Sequence, residues 1–351
     1  MIKTWIQHNG MCLRGDLTRV SGGEKPRQAL SPKSVMGLHY VYHKAIATFL
    51  RALVRPRLHL DPKPDETILI PSRDAGRTIK VHLYKPANAT HPTPVLINFC
   101  GSGSVLPTYG NDNEFCRFVA NQTRYSVLDV QYRLAPEHPF PAAFHDAEDV
   151  VNWARSQPDR FDASEISLSG FSSGANIALG VSSSSSQFCQ KGQPSIFNTV
   201  ISMYGPTNMA LPTPEKPQVD ESNWIMRKIF PEFSHLCHKC SIPDGVDLKD
   251  PRLSPKFANL HNFPDNVLTI TASQCSFALE AEELAQKLGG IDGKYSVYKR
   301  MDGCAHGWDK EAVRGSSQCA AKDEAYALVA SMLNGDLKRE FPAGDLSKKD
   351  C

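Results

Sequence analysis

The chain has almost no surplus of charge: 39 basic residues stand against 37 acidic ones, leaving +2. No basic stripe interleaved with aromatics disturbs that balance. The electrostatic footprint of a nucleic-acid binder is therefore missing. Long apolar runs are missing too. A spanning helix needs at least about 18 consecutive apolar residues, and no such stretch occurs. The opening Met1-Ile-Lys-Thr-Trp-Ile-Gln-His8 lacks the apolar core of a secretory signal, which predicts a cytoplasmic protein. In that compartment the ten cysteines are expected to be reduced rather than paired. The sequons at Asn88 and Asn121 are expected to stay unmodified. There is no internal repeat, and the one low-complexity run, Ser182 to Ser186, reads as a solvated loop.

What is present suits a folded enzyme. Of the 351 residues, 41% are hydrophobic and 22% charged, enough for a sizeable core and against global disorder. From residue 67 onward short β-rich runs alternate with helical patterns. The predicted strands are Thr67–Ile70, Thr78–Tyr84, Val95–Phe99, Tyr125–Val130, Ile166–Ser169, Thr199–Met203, Val267–Thr271 and Tyr295–Lys299. Runs such as Val95-Leu-Ile-Asn-Phe99 are nearly all apolar, the mark of strands covered on both faces. Between them the spacing predicts helices over Ala142–Ser156, Gly174–Val181, Phe277–Leu288 and Cys319–Leu333. This alternation predicts an α/β fold with an eight-stranded, mostly parallel sheet and helices on both faces. Two segments stand outside it: residues 1–66, helical around Val35–Leu53, and the proline-rich stretch 209–255 with Trp224, Met226 and Phe230. Either a lid over the sheet edge or plain peripheral packing accounts for them, since both use the same residue types.

The sharpest motif is Gly170-Phe171-Ser172-Ser173-Gly174, between a predicted strand and a predicted helix. A turn this tight strains the backbone at the serine and requires very small flanking residues. It lifts the hydroxyl clear of the sheet beside a helix N-terminus, which favours developing negative charge. Ser172 is therefore the candidate nucleophile, with an ordinary glycine-rich turn as the alternative. A serine hydroxyl needs a base. His306 in Cys304-Ala-His-Gly-Trp308 follows the last predicted strand, where this chain order puts the histidine. The turn Cys100-Gly-Ser-Gly103 follows another apolar strand. Its Ser102 and Gly103 N–H groups, with that of Ser173, are candidates for an oxyanion hole.

With these residues identified, the chain resembles the hormone-sensitive-lipase family of α/β-hydrolases, and residues 101–116 look most like its fungal members. The resemblance spans most of residues 67–335. Its most specific block is Tyr132-Arg-Leu-Ala-Pro-Glu-His-Pro-Phe-Pro-Ala-Ala143, and Asp250-Pro-Arg-Leu-Ser-Pro255 is similar to a second family segment. It implies an α/β-hydrolase core over 67–335 with a helical cap. The cap comes from an N-terminal segment 1–66 and an insertion at 209–250, with 336–351 as a C-terminal tail. It also implies an acyl-enzyme mechanism, no metal, no cofactor and a small-molecule substrate.

Two departures qualify this. Where the family's oxyanion motif begins His-Gly-Gly-Gly, this chain has Cys100 and Ser102. Where relatives carry the acid of the triad, register with Ile270-Thr-Ala and Glu283–Leu288 puts Cys275. A thiol is mostly neutral at pH 7 and does not stabilise an imidazolium as a carboxylate does. Glu280 is the nearest carboxylate in that segment; it reads either as a substitute acid or as a surface helix residue. The cluster His235, Cys237, His238, Cys240 has spacings that metal sites use, but no second ligand pair follows, so no metal is expected.

Three functions remain open. The first is hydrolysis of a carboxylic ester of a small-to-medium organic molecule by Ser172, His306 and Glu280 or another acid. The second keeps the pocket but runs a lyase, dehydratase, aldolase or cyclase reaction, with His306 as base and an oxyanion loop for an enolate. The third is a ligand-binding protein without turnover, against which the persistence of both Ser172 and His306 counts.

Overall fold

A computed structural model describes residues 32–340 apart from 59, 88, 191, 192 and 221. The opening octapeptide, the rest of segment 1–31, the sequon at Asn88 and the tail from 341 onward lie outside the described residues. The chain divides into two units. The first ends at His39 and the second runs from Tyr40. Of the first unit, only the opening of helix α1 (Pro32–Val54) is described.

The second unit holds one eight-stranded sheet in the order β1-β2-β4-β3-β5-β6-β7-β8. Its strands are β1 (Glu66–Pro71), β2 (Thr78–Tyr84), β3 (Thr93–Phe99), β4 (Ser126–Val130), β5 (Phe161–Phe171), β6 (Phe197–Met203), β7 (Asn266–Gln274) and β8 (Tyr295–Ala305). The β1–β2 and β2–β4 pairings are antiparallel and all others parallel. Each predicted strand is present, most with a residue or more added at the ends. Every residue of β3 and β4 is buried, as their near-continuous apolar character requires of strands covered on both sides.

The covering helices divide between the faces. Helices α3 (Ala142–Arg155), α4 (Ser173–Ser184) and α7 (Ala278–Gly289) bury Ala147, Val150, Ile177, Leu284 and Leu288 against one side. Helices α2 (Asn113–Gln122) and α8 (Ser317–Asn334) bury Phe115, Val119, Ala325 and Val329 against the other. Phe115 sits edge-on to Phe171 at 4.9 Å and to Tyr326 at 5.2 Å. Each large apolar side chain fully buried in this way contributes roughly 1.5–3 kcal/mol. Helix α2 has no counterpart in the sequence expectations. Its short polar surface face hides a stripe of only four buried residues, Phe115, Cys116, Val119 and Ala120.

The strand order creates the crevice. From β3 the chain moves to β4 on one side, then returns to the other side for β5. The loops leaving the carboxyl ends of β3 and β5 therefore diverge, as at the switch point of an open α/β sheet. Two segments cover this edge. Helix α6 (Phe230–Ser241), preceded by the short α5 (Trp224–Lys228), packs Cys237 and Cys240 with Ala47 of α1 and Val105 of the loop after β3. Arg51 of α1 donates to the carbonyls of Val105 (2.9 Å) and Ala135 (2.7 Å) and forks onto Glu137. A final short helix, α9 (Asp336–Glu340), closes the described chain.

Candidate active site

Ser172 lies between β5 and α4, as the N-cap of the helix, at φ 51°, ψ −119°, a positive-φ conformation that costs an ordinary residue about 1–3 kcal/mol. Neighbouring elements hold it there. Its N–H donates to the Met203 carbonyl at 2.9 Å, and its carbonyl accepts from Asn176 N at 3.1 Å. The turn closes only because Gly174 has no side chain: a Cβ there would lie 1.9 Å from the Phe99 carbonyl oxygen. The result is a partly exposed hydroxyl at the head of the sheet.

His306, just past β8, reaches across to it. Its Nε2 lies 2.9 Å from Ser172 Oγ. On its other side, Nδ1 lies 3.1 Å from Cys275 Sγ, in the turn after β7. The imidazole is packed among aromatic rings: Phe230 at 4.3 Å, Tyr204 at 4.8 Å and Phe277 at 5.5 Å between centroids. This burial drives His306 down to about 3, with only Asp309 pulling the other way. Cys275 is fully buried and pushed up to about 12 by desolvation, so the pair is a neutral thiol beside a neutral imidazole at pH 7. Of the three cysteines that the topology brings to this edge, Cys275 alone, among the described residues, hydrogen-bonds to His306; Cys100 and Cys304 are buried.

Glu280 is elsewhere. Its Oε1 accepts from the N–H groups of Thr207 (2.8 Å) and Asn208 (3.3 Å), and its Oε2 pairs with buried Lys216 at 2.7 Å. Burial pushes Lys216 down, against the pull of Glu280. Both oxygens are thus committed to holding the chain that leaves β6, and neither faces the imidazole. The surface-helix alternative is not met either, because Glu280 is buried.

The loop after β3 lies on the far side of Ser172. Gly103 adopts φ 56°, and a Cβ there would come within 3.1 Å of Cys237 Sγ on α6. Ser102 N donates to Ser173 Oγ at 3.0 Å. Tyr132, from the long signature block, donates to the Cys100 carbonyl at 2.6 Å and meets Ser102 Oγ at 2.7 Å. The next residue, Arg133, is anchored by buried Asp146, which also takes Arg77.

Beneath the turn runs a buried polar frame to which the sequence reading assigned no role. Asn98 of β3 donates to Asp112 (2.9 Å) and Asp129 (3.0 Å). Lys310 pairs with Asp112 (2.7 Å) and Asp309 (2.9 Å) and lies 3.4 Å from the centre of the Phe171 ring. Asp309 also accepts from the hydroxyls of Tyr204 (2.7 Å) and Tyr326 (2.9 Å). Desolvation, with Asp112 adding to it, pushes Asp129 up to about 7. The one sequence signal for Asp309 and Lys310 is their place directly after His306-Gly-Trp308.

No group of three His, Cys, Asp or Glu side chains among the described residues is arranged to hold a metal. The spaced His and Cys residues of α6 are divided, with Cys237 and Cys240 buried inward. None of the cysteines among the described residues is disulfide-bonded, and no described helix is long and apolar enough to cross a membrane.

Comparison with known proteins follows the same lines. A family model for the alpha/beta hydrolase fold matches residues 96–310. A versiconal hemiacetal acetate esterase from Aspergillus parasiticus is 34% identical over 34% of this chain and 37% of its own length. An Arabidopsis thaliana protein named "Probable carboxylesterase 8" is 29% identical over 53% of this chain and 60% of its own. The chain thus spans between about a third and three fifths of these relatives. Among solved structures, an esterase from Pyrobaculum calidifontis superposes with a TM-score of 0.67 at 26% identity, covering 86% of this chain and 93% of that one. On the match of residues 96–310, the chain belongs to the α/β-hydrolase family of the hormone-sensitive-lipase and carboxylesterase type.

Proposed function

We propose that the protein hydrolyses a carboxylic ester of a small-to-medium organic molecule through an acyl-enzyme on Ser172. The observation that carries this reading is the 2.9 Å contact between His306 Nε2 and Ser172 Oγ, at a strained turn in a crevice covered by apolar side chains. His306 takes the serine proton as Oγ attacks the carbonyl, then returns it to the leaving alkoxide. Water repeats the cycle on the acyl-enzyme and releases the acid. The esterase names among the relatives and the Pyrobaculum structure support the same chemistry.

Cys275 stands in the place of the triad acid and changes what the histidine does. A carboxylate only accepts hydrogen bonds, so it forces the proton onto Nδ1 and leaves Nε2 free to act as base. A thiol both donates and accepts. With S–H donating to Nδ1, the ring proton moves to Nε2 and points at Ser172; only the other tautomer, with Nδ1–H donating to the sulfur, removes the serine proton, and the thiol does not enforce it. Ester turnover is therefore slow compared with carboxylate-bearing relatives. This same observation favours one second reading, a lyase, dehydratase, aldolase or cyclase reaction in which neutral His306 moves a proton without an acyl-enzyme.

A fluorophosphonate probe with intact-mass readout, combined with short-chain p-nitrophenyl ester hydrolysis, separates the two. Labelling and turnover that both vanish in Ser172→Ala support the esterase. A folded wild-type protein that neither labels nor turns over refutes it and leaves the non-hydrolytic reaction.

A further inference from the structure

The three hydroxyls around the oxyanion loop form a closed set whose protons can be followed one by one. Tyr132 OH lies 2.6 Å from the Cys100 carbonyl, which only accepts, so its proton goes there. Ser102 Oγ accepts from Ser104 N at 2.9 Å. It meets Tyr132 OH at 2.7 Å, and because the tyrosine proton is already engaged, Ser102 supplies the proton of that bond. Ser173 Oγ remains. It accepts twice, from Ser102 N at 3.0 Å and Ser104 N at 3.2 Å. Its own proton has only the oxygens of Ser102 and Tyr132, each 3.4 Å away, at the outer limit of a hydrogen bond.

Ser173 is thus a nearly buried residue (7% exposed) whose hydroxyl receives two N–H bonds and lacks a short acceptor for its proton. It directly follows the nucleophile, and its oxygen lies where the Ser102 N–H points. That N–H is one of the three donors expected to face the oxyanion. Here it is taken up by Ser173 Oγ at 3.0 Å.

We propose that the Ser173 hydroxyl is itself an oxyanion donor, standing in for the Ser102 N–H that it intercepts. The two N–H groups polarise the oxygen, and a polarised hydroxyl donates more strongly through the cooperativity of hydrogen-bond chains. As the carbonyl oxygen of the substrate gains charge, the Ser173 proton turns to it, beside the N–H groups of Gly103 and Ser173 itself. No covalent bond is made or broken at Ser173. The assignment rests on the ester-hydrolysis reading above, because an oxyanion must form at the carbonyl for the donor to act.

The test compares wild type, Ser173→Ala and Ser173→Thr in p-nitrophenyl acetate hydrolysis, with thermal melting as the check on folding. Removing one oxyanion donor typically lowers kcat by about 10²–10³. Ser173→Ala is expected to lose about 10²-fold in kcat with KM nearly unchanged, the pattern of an interaction made only in the transition state. Ser173→Thr keeps the hydroxyl and is expected to recover most of that loss. An alanine variant as fast as wild type, or faster, overturns the proposal, because the released Ser102 N–H is then the better donor. Equal losses in both variants overturn it too, since shape and not the hydroxyl is then what matters. A folded wild type with no ester turnover overturns both this assignment and the esterase reading, an outcome distinct from the other two.

Discussion

On the proposed esterase reading, replacing Cys275 by aspartate should speed ester hydrolysis. Its Cγ would take the place of Sγ, now 3.1 Å from His306 Nδ1. The added C–O bond reaches roughly 1.2 Å further, so part of the gain is lost to crowding against the ring. Burial and the Glu280 charge oppose an ionised carboxylate at this position, while Phe277 N, which already points at the sulfur from 3.5 Å, and the Lys216 cation favour it. A charged carboxylate forces the productive tautomer and stabilises the imidazolium. In serine proteases loss of that charge lowers the rate by about 10⁴. Allowing for imperfect fit, Cys275→Asp should raise kcat/KM for p-nitrophenyl acetate by about 10²–10³, or roughly 3–4 kcal/mol of transition-state stabilisation. The pH profile gives a second reading of the same change. With His306 at about 3, the wild-type base is already deprotonated at pH 5, so hydrolysis should show no acid limb between pH 8 and 5. The aspartate raises the histidine, and an acid limb should appear in that window. A folded variant with unchanged or lower activity and a flat profile would refute the reasoning.

Other consequences follow from the buried charges and the turn. Glu280→Gln leaves Lys216 buried without a counter-charge, which should destabilise the protein by about 3 kcal/mol in urea denaturation. Activity of the folded variant at low temperature should fall less than about tenfold; a larger loss with Tm unchanged would return Glu280 to the catalytic site. For Asp129, the folded value near 7 lies above the ordinary carboxylate value of about 3.9. The folded state therefore binds the proton more tightly, and stability is lost as pH rises from about 4 through 7. Asp129→Asn should relieve this, appearing more stable than wild type at pH 8 and no better at pH 4.5; a pH-independent difference in urea midpoint would contradict it. Gly174→Ala would force a Cβ to 1.9 Å from the Phe99 carbonyl. Since the three nearest atoms, Phe99 O and C and Cys100 O, are all backbone, little soluble folded protein should be recovered, and a normal melting curve would show that the turn tolerates the methyl group.

The sheet was largely legible in the chain because eight strands covered on one or both faces announce themselves as short apolar runs between turn residues. The glycines around Ser172 and the position of His306 were legible for a related reason: backbone shape restricts residue type there. Register also brought Cys275 to the acid position, and the hydrogen bond to Nδ1 is found at that residue. Glu280 was misjudged on both readings because sequence spacing along α7 does not reveal a buried partner 64 residues earlier, at Lys216. The Ser102, Tyr132 and Ser173 hydroxyls were equally out of reach. Their proton directions depend on side-chain torsions and on a loop that approaches from a different strand. Helix α2 was missed because a short helix with four inward residues has little periodicity to read.

The strand order also separates the crevice into two workshops. Ser172 and the Cys100–Gly103 turn rest on the neighbours β5 and β3, His306 and Cys275 on the neighbours β8 and β7, with β6 as a partition between them. The hydrogen bond between His306 and Ser172 bridges the partition. A change in the second workshop, such as an acid exchanged for a thiol, leaves the strained serine turn and its helix untouched. Such a scaffold lets substitutions confined to the β7 and β8 loops alter the surroundings of His306 without rebuilding the Ser172 turn.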